Sequence, residues 1–223
     1  MSPRSFYVAG IVFLFFALIL SLLASISLPF LPALDFVRVN FANAPRSADI
    51  MSQLRFGIWA PCYYDGNGQR SCVFGGHGYS FRITSFDLKQ SVLIGSSWTR
   101  GLAIHPVAAV FTAVAFGFAC SKSDRAPVIA TLASFVAAFL MAIAFIVDIA
   151  LYAFVKQQIG QLPNPGNTVA SSAFWMTFVS LILLVMSGCT VCFGRRRDIG
   201  AGSPSYPTLS SSSGGILARF RKS

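Results

Sequence analysis

The stretch Gly57-Ile-Trp-Ala-Pro-Cys-Tyr-Tyr-Asp-Gly-Asn-Gly-Gln-Arg-Ser-Cys72 places a tryptophan and two cysteines around a polar turn, in a chain that is otherwise largely apolar. Asp65-Gly66 and Asn67-Gly68 favour chain reversal, so Cys62 and Cys72 suit a closed, hairpin-like loop. Disulfides persist in oxidising surroundings, so a bond here fits the outside location that the loop charges set. Closing a loop of this size contributes roughly 2–3 kcal/mol to the local fold. Two free thiols are the alternative.

Outside this stretch the composition is that of a membrane protein. Of 223 residues, 55% are hydrophobic and 11% charged, and the mean hydropathy is +0.67. A soluble domain carries about 25% charged residues. Four apolar segments, residues 7–28, 102–120, 128–154 and 174–193, each reach the ~18–20 residues needed to cross a bilayer core of ~30 Å. The first has a rival reading as a cleaved signal peptide, with Arg4 as its charged start and Ala24-Ser-Ile-Ser27 as its small-residue site. Its apolar run exceeds the ~7–15 residues of a signal core.

Short basic loops set the expected orientation. Ser121-Lys-Ser-Asp-Arg-Ala-Pro127 joins the second and third segments, and Arg195, Arg196 and Arg197 follow the fourth. Both are expected on the cytoplasmic face, with the arginines as its anchor and both termini inside. The long loop, about 29–101, and the shorter one, 155–173, are then outside. Residues 37–41, 54–59 and 79–83 are rich in β-branched and aromatic residues, which predicts a small antiparallel sheet over the helices. Leu162-Pro-Asn-Pro-Gly166 reads as a turn, and His77, within Phe-Gly-Gly-His-Gly-Tyr, as part of another. The expected architecture is an all-α four-helix transmembrane bundle over residues 1–194, with an extracellular sheet cap in the first outer loop. Residues 195–223, rich in Ser and basic residues, are expected to be a disordered cytoplasmic tail. Its last residues, 216–223, either touch the inner leaflet or are solvated.

Small residues at four-residue spacing, Ala109/Ala113/Gly117 and Ala130/Ser134/Ala138/Ala142, are expected to form the faces along which helices approach closely. Asp148 is the one acidic residue within a segment. At ~1.5 Å per residue it lies ~30 Å from Val128, near the outer boundary, level with Arg100 and His105. A pairing with either is an interhelical clamp or, through His105, a proton-sensitive contact. Cys120, Cys189 and Cys192 fall at cytoplasmic ends, as candidates for palmitoylation or as inert packing residues. Cys189-Thr-Val-Cys192 has no second pair to complete a metal site. The net charge of +10 forms no single patch suited to nucleic acid. Nothing pairs a nucleophile with a base, so no enzyme and no cofactor is expected. Too few polar residues are present to line a transport path.

The four segments, the long first outer loop, and Gly57-Ile-Trp59 followed by Cys62 and Cys72 resemble the claudin-like superfamily, with Ile58 where its motif carries Leu. Gly101-Leu-Ala-Ile-His-Pro106, the region of Asp148 and Gly188-Cys-Thr-Val-Cys-Phe-Gly-Arg-Arg196 look like its fungal PalI-type branch, related to eisosomal four-span proteins. The resemblance covers about residues 5–197. It implies a multi-pass plasma-membrane accessory protein of ambient-pH signalling that helps localise or stabilise a seven-span pH sensor. The same resemblance also admits an eisosome-type membrane-domain organiser or a claudin-like cell-surface scaffold. Membrane lipid, a membrane-protein partner and a further copy of the chain are the partners it implies.

Overall fold

The computed structural model describes residues 3–41, 51–76, 78–84, 91–121, 126–163 and 166–200, without the side chains of 3–7, 127 and 191–200. The expectations for His77, for the core of the 121–127 loop and for 201–223 fall outside these residues. Helices are α1 (Pro3–Ser25), α2 (Ser96–Arg100), α3 (Ile104–Cys120), α4 (Ala126–Gly160) and α5 (Ser172–Gly200). A 3-10 turn at Gly101–Ala103 joins α2 to α3. Four stretches are long and apolar enough to cross a membrane: Val8–Ser25, Ser96–Cys120, Val128–Gly160 and Ser172–Thr190.

The helices form a ring in which α1 packs on α3 and α5, and α4 packs on α3 and α5. Each turns a seam of alternating three- and four-residue steps to the interior. In α1 this is Gly10, Leu14, Ala17, Ser21 and Ala24; in α3, His105, Ala108, Thr112, Ala115 and Ala119. In α4 it runs through Ala130, Ser134, Ala137, Met141, Ala144 and Asp148; in α5, through Ala173, Thr177, Ser180, Leu184 and Ser187. A step averaging 3.5 residues keeps one face inward along a gently supercoiled helix, whereas a strict step of four rotates about 40° each time. The expected small-residue face of α3 is therefore corrected. Ala109 is buried, but Ala113 and Gly117 have rotated to the outer surface. On α4, Ala130, Ser134 and Ala138 are buried and Ala142 is half-buried. Between the neighbouring helices α5 and α1, Ser187 Oγ donates to the Gly10 carbonyl at 3.2 Å.

Over one end of the bundle lies the cap. Its strands are β1 (Val37–Asn40), β2 (Met51–Phe56), β3 (Pro61–Asp65), β4 (Arg70–Cys72), β5 (Phe81–Thr84), β6 (Ser91–Ile94) and β7 (Asn167–Ala170). One sheet has the order β4-β3-β2-β1-β7, and β5 pairs with β6 in a second. Every pairing is antiparallel. The cap thus draws a strand from the second connection, just after the Leu162–Gly166 run read as a turn, where no strand was expected. Thr168 and Val169 suit a strand, and β1 offers an edge with Val37 opposite Ala170 and Asn40 opposite Asn167.

Helix ends also differ from the expected ones, because the cap supplies apolar cover beyond the bilayer. Helix α4 runs to Gly160 rather than residue 154, since Leu151, Val155 and Ile159 continue its buried face beneath Val39 and Phe41 in one cluster. The second span begins at Ser96, not 102. Helix α5 continues through Arg195–Arg197 to Gly200, six residues into the stretch expected to be tail. No proline interrupts it, and cations near a helix C-terminus complement the dipole.

Packing between cap and bundle is tightest at Gly57. A Cβ there would stand 2.4 Å from Leu28 Cβ and 3.0 Å from the Leu28 backbone. Gly57→Ala is expected to lower stability by about 1–3 kcal/mol through this overpacking. The thermal midpoint of the purified protein in mild detergent reports it, and an unchanged midpoint would show that the approach is not limiting.

Candidate functional site

The Gly57-Ile58-Trp59 turn joins β2 to β3 and sits on the end of α1. The Ile58 amide donates to Ser27 Oγ at 3.1 Å, and Trp59 Nε1 donates to the Ser25 carbonyl at 2.9 Å. The last carbonyls of a helix lack intrahelical partners, so the indole supplies one where the helix cannot. The Gly57 carbonyl accepts the Tyr79 hydroxyl at 2.8 Å, and the Tyr79 carbonyl accepts Thr99 Oγ1 of α2 at 2.6 Å. Three sequence-distant segments, the end of α1, the β2–β3 turn and the start of the second span, thereby close on one point. The Cys62–Cys72 disulfide is present and ties β3 to β4 at facing positions. Asp65 shapes the intervening turn, its Oδ1 accepting the amides of Asn67 and Gln69.

A second anchor was not legible in the sequence. Asp35 is fully buried, and Arg38 grips it with Nε to Oδ2 at 3.0 Å and Nη2 to Oδ1 at 2.8 Å. These bonds hold the guanidinium above its ordinary value against partial desolvation. The Asp35 carbonyl accepts the amide of Ala173, and the Phe36 carbonyl that of Ser171, so this segment fixes the start of α5. The only signal was a carboxylate three residues before an arginine at the opening of a strand.

Below Phe36 lies the polar layer of the bundle. The Phe36 ring meets His105 edge-on, with ring centroids 4.8 Å apart. His105 Nδ1 faces the Leu102 carbonyl at 2.9 Å, so this nitrogen carries a proton. Nε2 lies 3.2 Å from Asp148 Oδ2 and 3.3 Å from Thr177 Oγ1, whose own hydroxyl donates to the Ala173 carbonyl at 3.0 Å. A proton must also lie between Nε2 and the carboxylate, because two lone pairs would otherwise face each other. The pair is then neutral overall whichever atom holds that proton. His105, Asp148 and Thr177 are all buried, and Asp148 Oδ1 has no hydrogen-bond partner. Thr177 completes the layer from α5, and nothing in its sequence surroundings marked it.

Of the two partners considered for Asp148, the structure brings up His105 and not Arg100. Arg100 is exposed and lies against Gly78. Cys120 and Cys189 are exposed free thiols at the end of the bundle away from the cap. Cys192 and Arg195–Arg197 belong to the part of α5 described by backbone alone. Among the described residues, no group of three or more His, Cys, Asp or Glu could hold a metal ion.

The family model described as SUR7/PalI matches residues 6–187. The chain belongs to the SUR7/PalI family. The match spans α1 from Phe6, the whole cap, α3, α4 and α5 as far as Ser187, so the hub formed by the Gly57–Trp59 turn with Ser25, Ser27, Tyr79 and Thr99, the Asp35 anchor and the polar layer are all inside it. No curated protein matches the chain. With four candidate spans, this SUR7/PalI member is a multi-pass membrane protein.

The polar layer generates one prediction and Tyr79 another. Asp148→Ala leaves His105 buried without its partner and is expected to cost about 3–5 kcal/mol, whereas His105→Leu with Asp148→Leu is expected to regain most of it. Thermal unfolding of the parent, of His105→Leu and Asp148→Leu singly and of the double variant measures the coupling, and simple additivity of the single substitutions would count against the pair. Burial pushes the Tyr79 phenol well up from its ordinary value. The folded state therefore holds this proton more tightly than the unfolded chain. The stabilisation is complete below the ordinary tyrosine value of about 10 and is lost as pH rises above it. Tyr79→Phe is expected to cost about 1 kcal/mol at neutral pH and to flatten that alkaline loss. An unchanged alkaline limb in the variant would assign the loss to another group.

Proposed function

We propose that this protein is a non-catalytic plasma-membrane accessory of fungal ambient-pH signalling, with both termini in the cytoplasm, which localises or stabilises a seven-span pH sensor. The observation that carries this reading is the family match over residues 6–187. It is supported by the disposition of the polar groups. The described side chains of the hub and polar layer bond to one another and to backbone, consistent with a platform that holds its own shape. In this reading the cap and the outward helix faces meet the sensor.

A second reading, a membrane-domain organiser that associates with its own copies, is favoured by the outer face of α3. Ala113 and Gly117 point away from the bundle, and a Cβ at Gly117 would meet nothing within 4 Å. Small residues four apart let a neighbouring helix approach closely.

Deletion of the gene separates the two. The accessory role predicts loss of growth at alkaline pH and loss of processing of the pH-response transcription factor. Normal growth with intact processing would remove it. Punctate cortical fluorescence that disperses on Gly117→Leu would then support the organiser.

A further inference from the structure

All three tryptophans lie at the cap end of the bundle. Trp59 bonds the last turn of α1, Trp98 stands in α2, and Trp175 in the first turn of α5. Tryptophan at helix ends marks the interfacial layer of a bilayer. The indole of Trp59 touches the carbonyl of Ser25, the last residue of the Val8–Ser25 span, so the β2–β3 turn rests at the membrane boundary.

The lipid-facing surface of α1 does not stop there. Val12, Phe15, Phe16 and Ile19 are exposed along the span, and Ile26 extends the row past the helix end. The chain then folds back, Phe30 N donating to the Ser27 carbonyl at 3.2 Å, which keeps Phe30 low, with 69% of its surface exposed. Beside it is the free edge of the sheet. Arg70 Nη1 donates to the Pro29 carbonyl at 3.4 Å, and Val73 N to the Pro61 carbonyl at 3.1 Å. These bonds hold the end of β4 at the same level, where Val73 and Phe74 are 46% and 78% exposed. The polar Asp65–Gln69 turn lies at the opposite end of the hairpin.

We propose that Phe30, Val73 and Phe74 form a lip that enters the cap-side leaflet, with the Arg70 guanidinium on a phospholipid phosphate. Apolar rings this close to the acyl boundary leave water by entering it, to a depth of ~5–10 Å. Arg70 is exposed and spends one of its donors on Pro29, so the others are free to fork onto a phosphate. The occupant is lipid because the patch continues the lipid-facing row of α1 and lies at its boundary.

The test uses the full chain reconstituted in phosphatidylcholine vesicles, with chains brominated near the headgroup or near the methyl end. Phe74→Trp, Phe30→Trp and the turn control Asn67→Trp each add one indole, read as the difference from the parent emission. The indoles at positions 74 and 30 are expected to be quenched at least about two-fold more by shallow than by deep bromines, and little by aqueous acrylamide. The indole at position 67 is expected to show the reverse. Arg70→Gln in the Phe74→Trp background is expected to raise acrylamide quenching. A gel shift with a thiol-reactive polymer checks that each variant keeps the Cys62–Cys72 bond. Acrylamide quenching at 74 and 30 equal to that at 67 would overturn the proposal. So would shielding from both quenchers, which would place protein, such as a second copy, on the patch.

Discussion

The approach of Gly57 to Leu28 is the constraint on which the arrangement depends. It lets a sheet turn lie directly on the end of a spanning helix, and with the turn in place Ile58 and Trp59 reach Ser27 and Ser25. Tyr79 then closes over the Gly57 carbonyl and carries the link to Thr99 and the second span. A methyl group at position 57 would lift the turn and lengthen each of these bonds together. The disulfide acts one step further out: it fixes β4 against β3, and so sets how the free edge of the sheet meets the helix end.

The bundle beneath is held by a different logic. Its seams are mostly Gly, Ala, Ser and Thr, with Leu14, Met141 and Leu184 as larger fillers. Helices in lipid gain little from the hydrophobic effect, and close backbone approach supplies dispersion instead. Thr112 and Ser134 bond within their own helices, to Ala108 and Ala130, which satisfies the hydroxyl without opening the seam, whereas Ser187 bonds across to Gly10 and Ser180 Oγ has no partner among the described residues. His105, Asp148 and Thr177 bond across three helices in one layer, where Phe36 presses from above.

Local features were legible and shared ones were not. Apolar runs identified four spans because length and composition alone decide whether a helix can cross ~30 Å. The Trp-Cys-Cys spacing marked the cap. The second strand of the cap's edge, β7, escaped notice because four residues following a proline-rich turn become a strand only when β1 is there to pair with them. Asp35 and Arg38 went unmarked, since burial of the carboxylate is imposed by Ser171–Ala173 from the far end of the chain. The α3 seam was misread for a simpler reason. A four-residue repeat and a heptad share some positions, Ala109 among those near both, and only the partner helix selects between them. His105 could be named from its depth opposite Asp148, but Thr177, one of three seam hydroxyls on α5, could not.

Cap and bundle share one core. Ala24, Leu102, Leu151, Val155 and Ala173 from the helices pack in a single cluster with Val37, Leu54, Phe56 and Ile94 from the sheets. No hinge separates the two layers at this level, and the Trp98–Phe154 stack, at 4.2 Å between ring centroids, closes one side of it. A displacement of α4 or α5 at the boundary therefore has to move β1 and β7, which pair directly with each other. For the proposed accessory role this coupling has a consequence. A partner gripping the cap from outside and a partner packed along the helices would act on the same rigid body, so stabilising one arrangement of the helices would stabilise the surface that the cap presents.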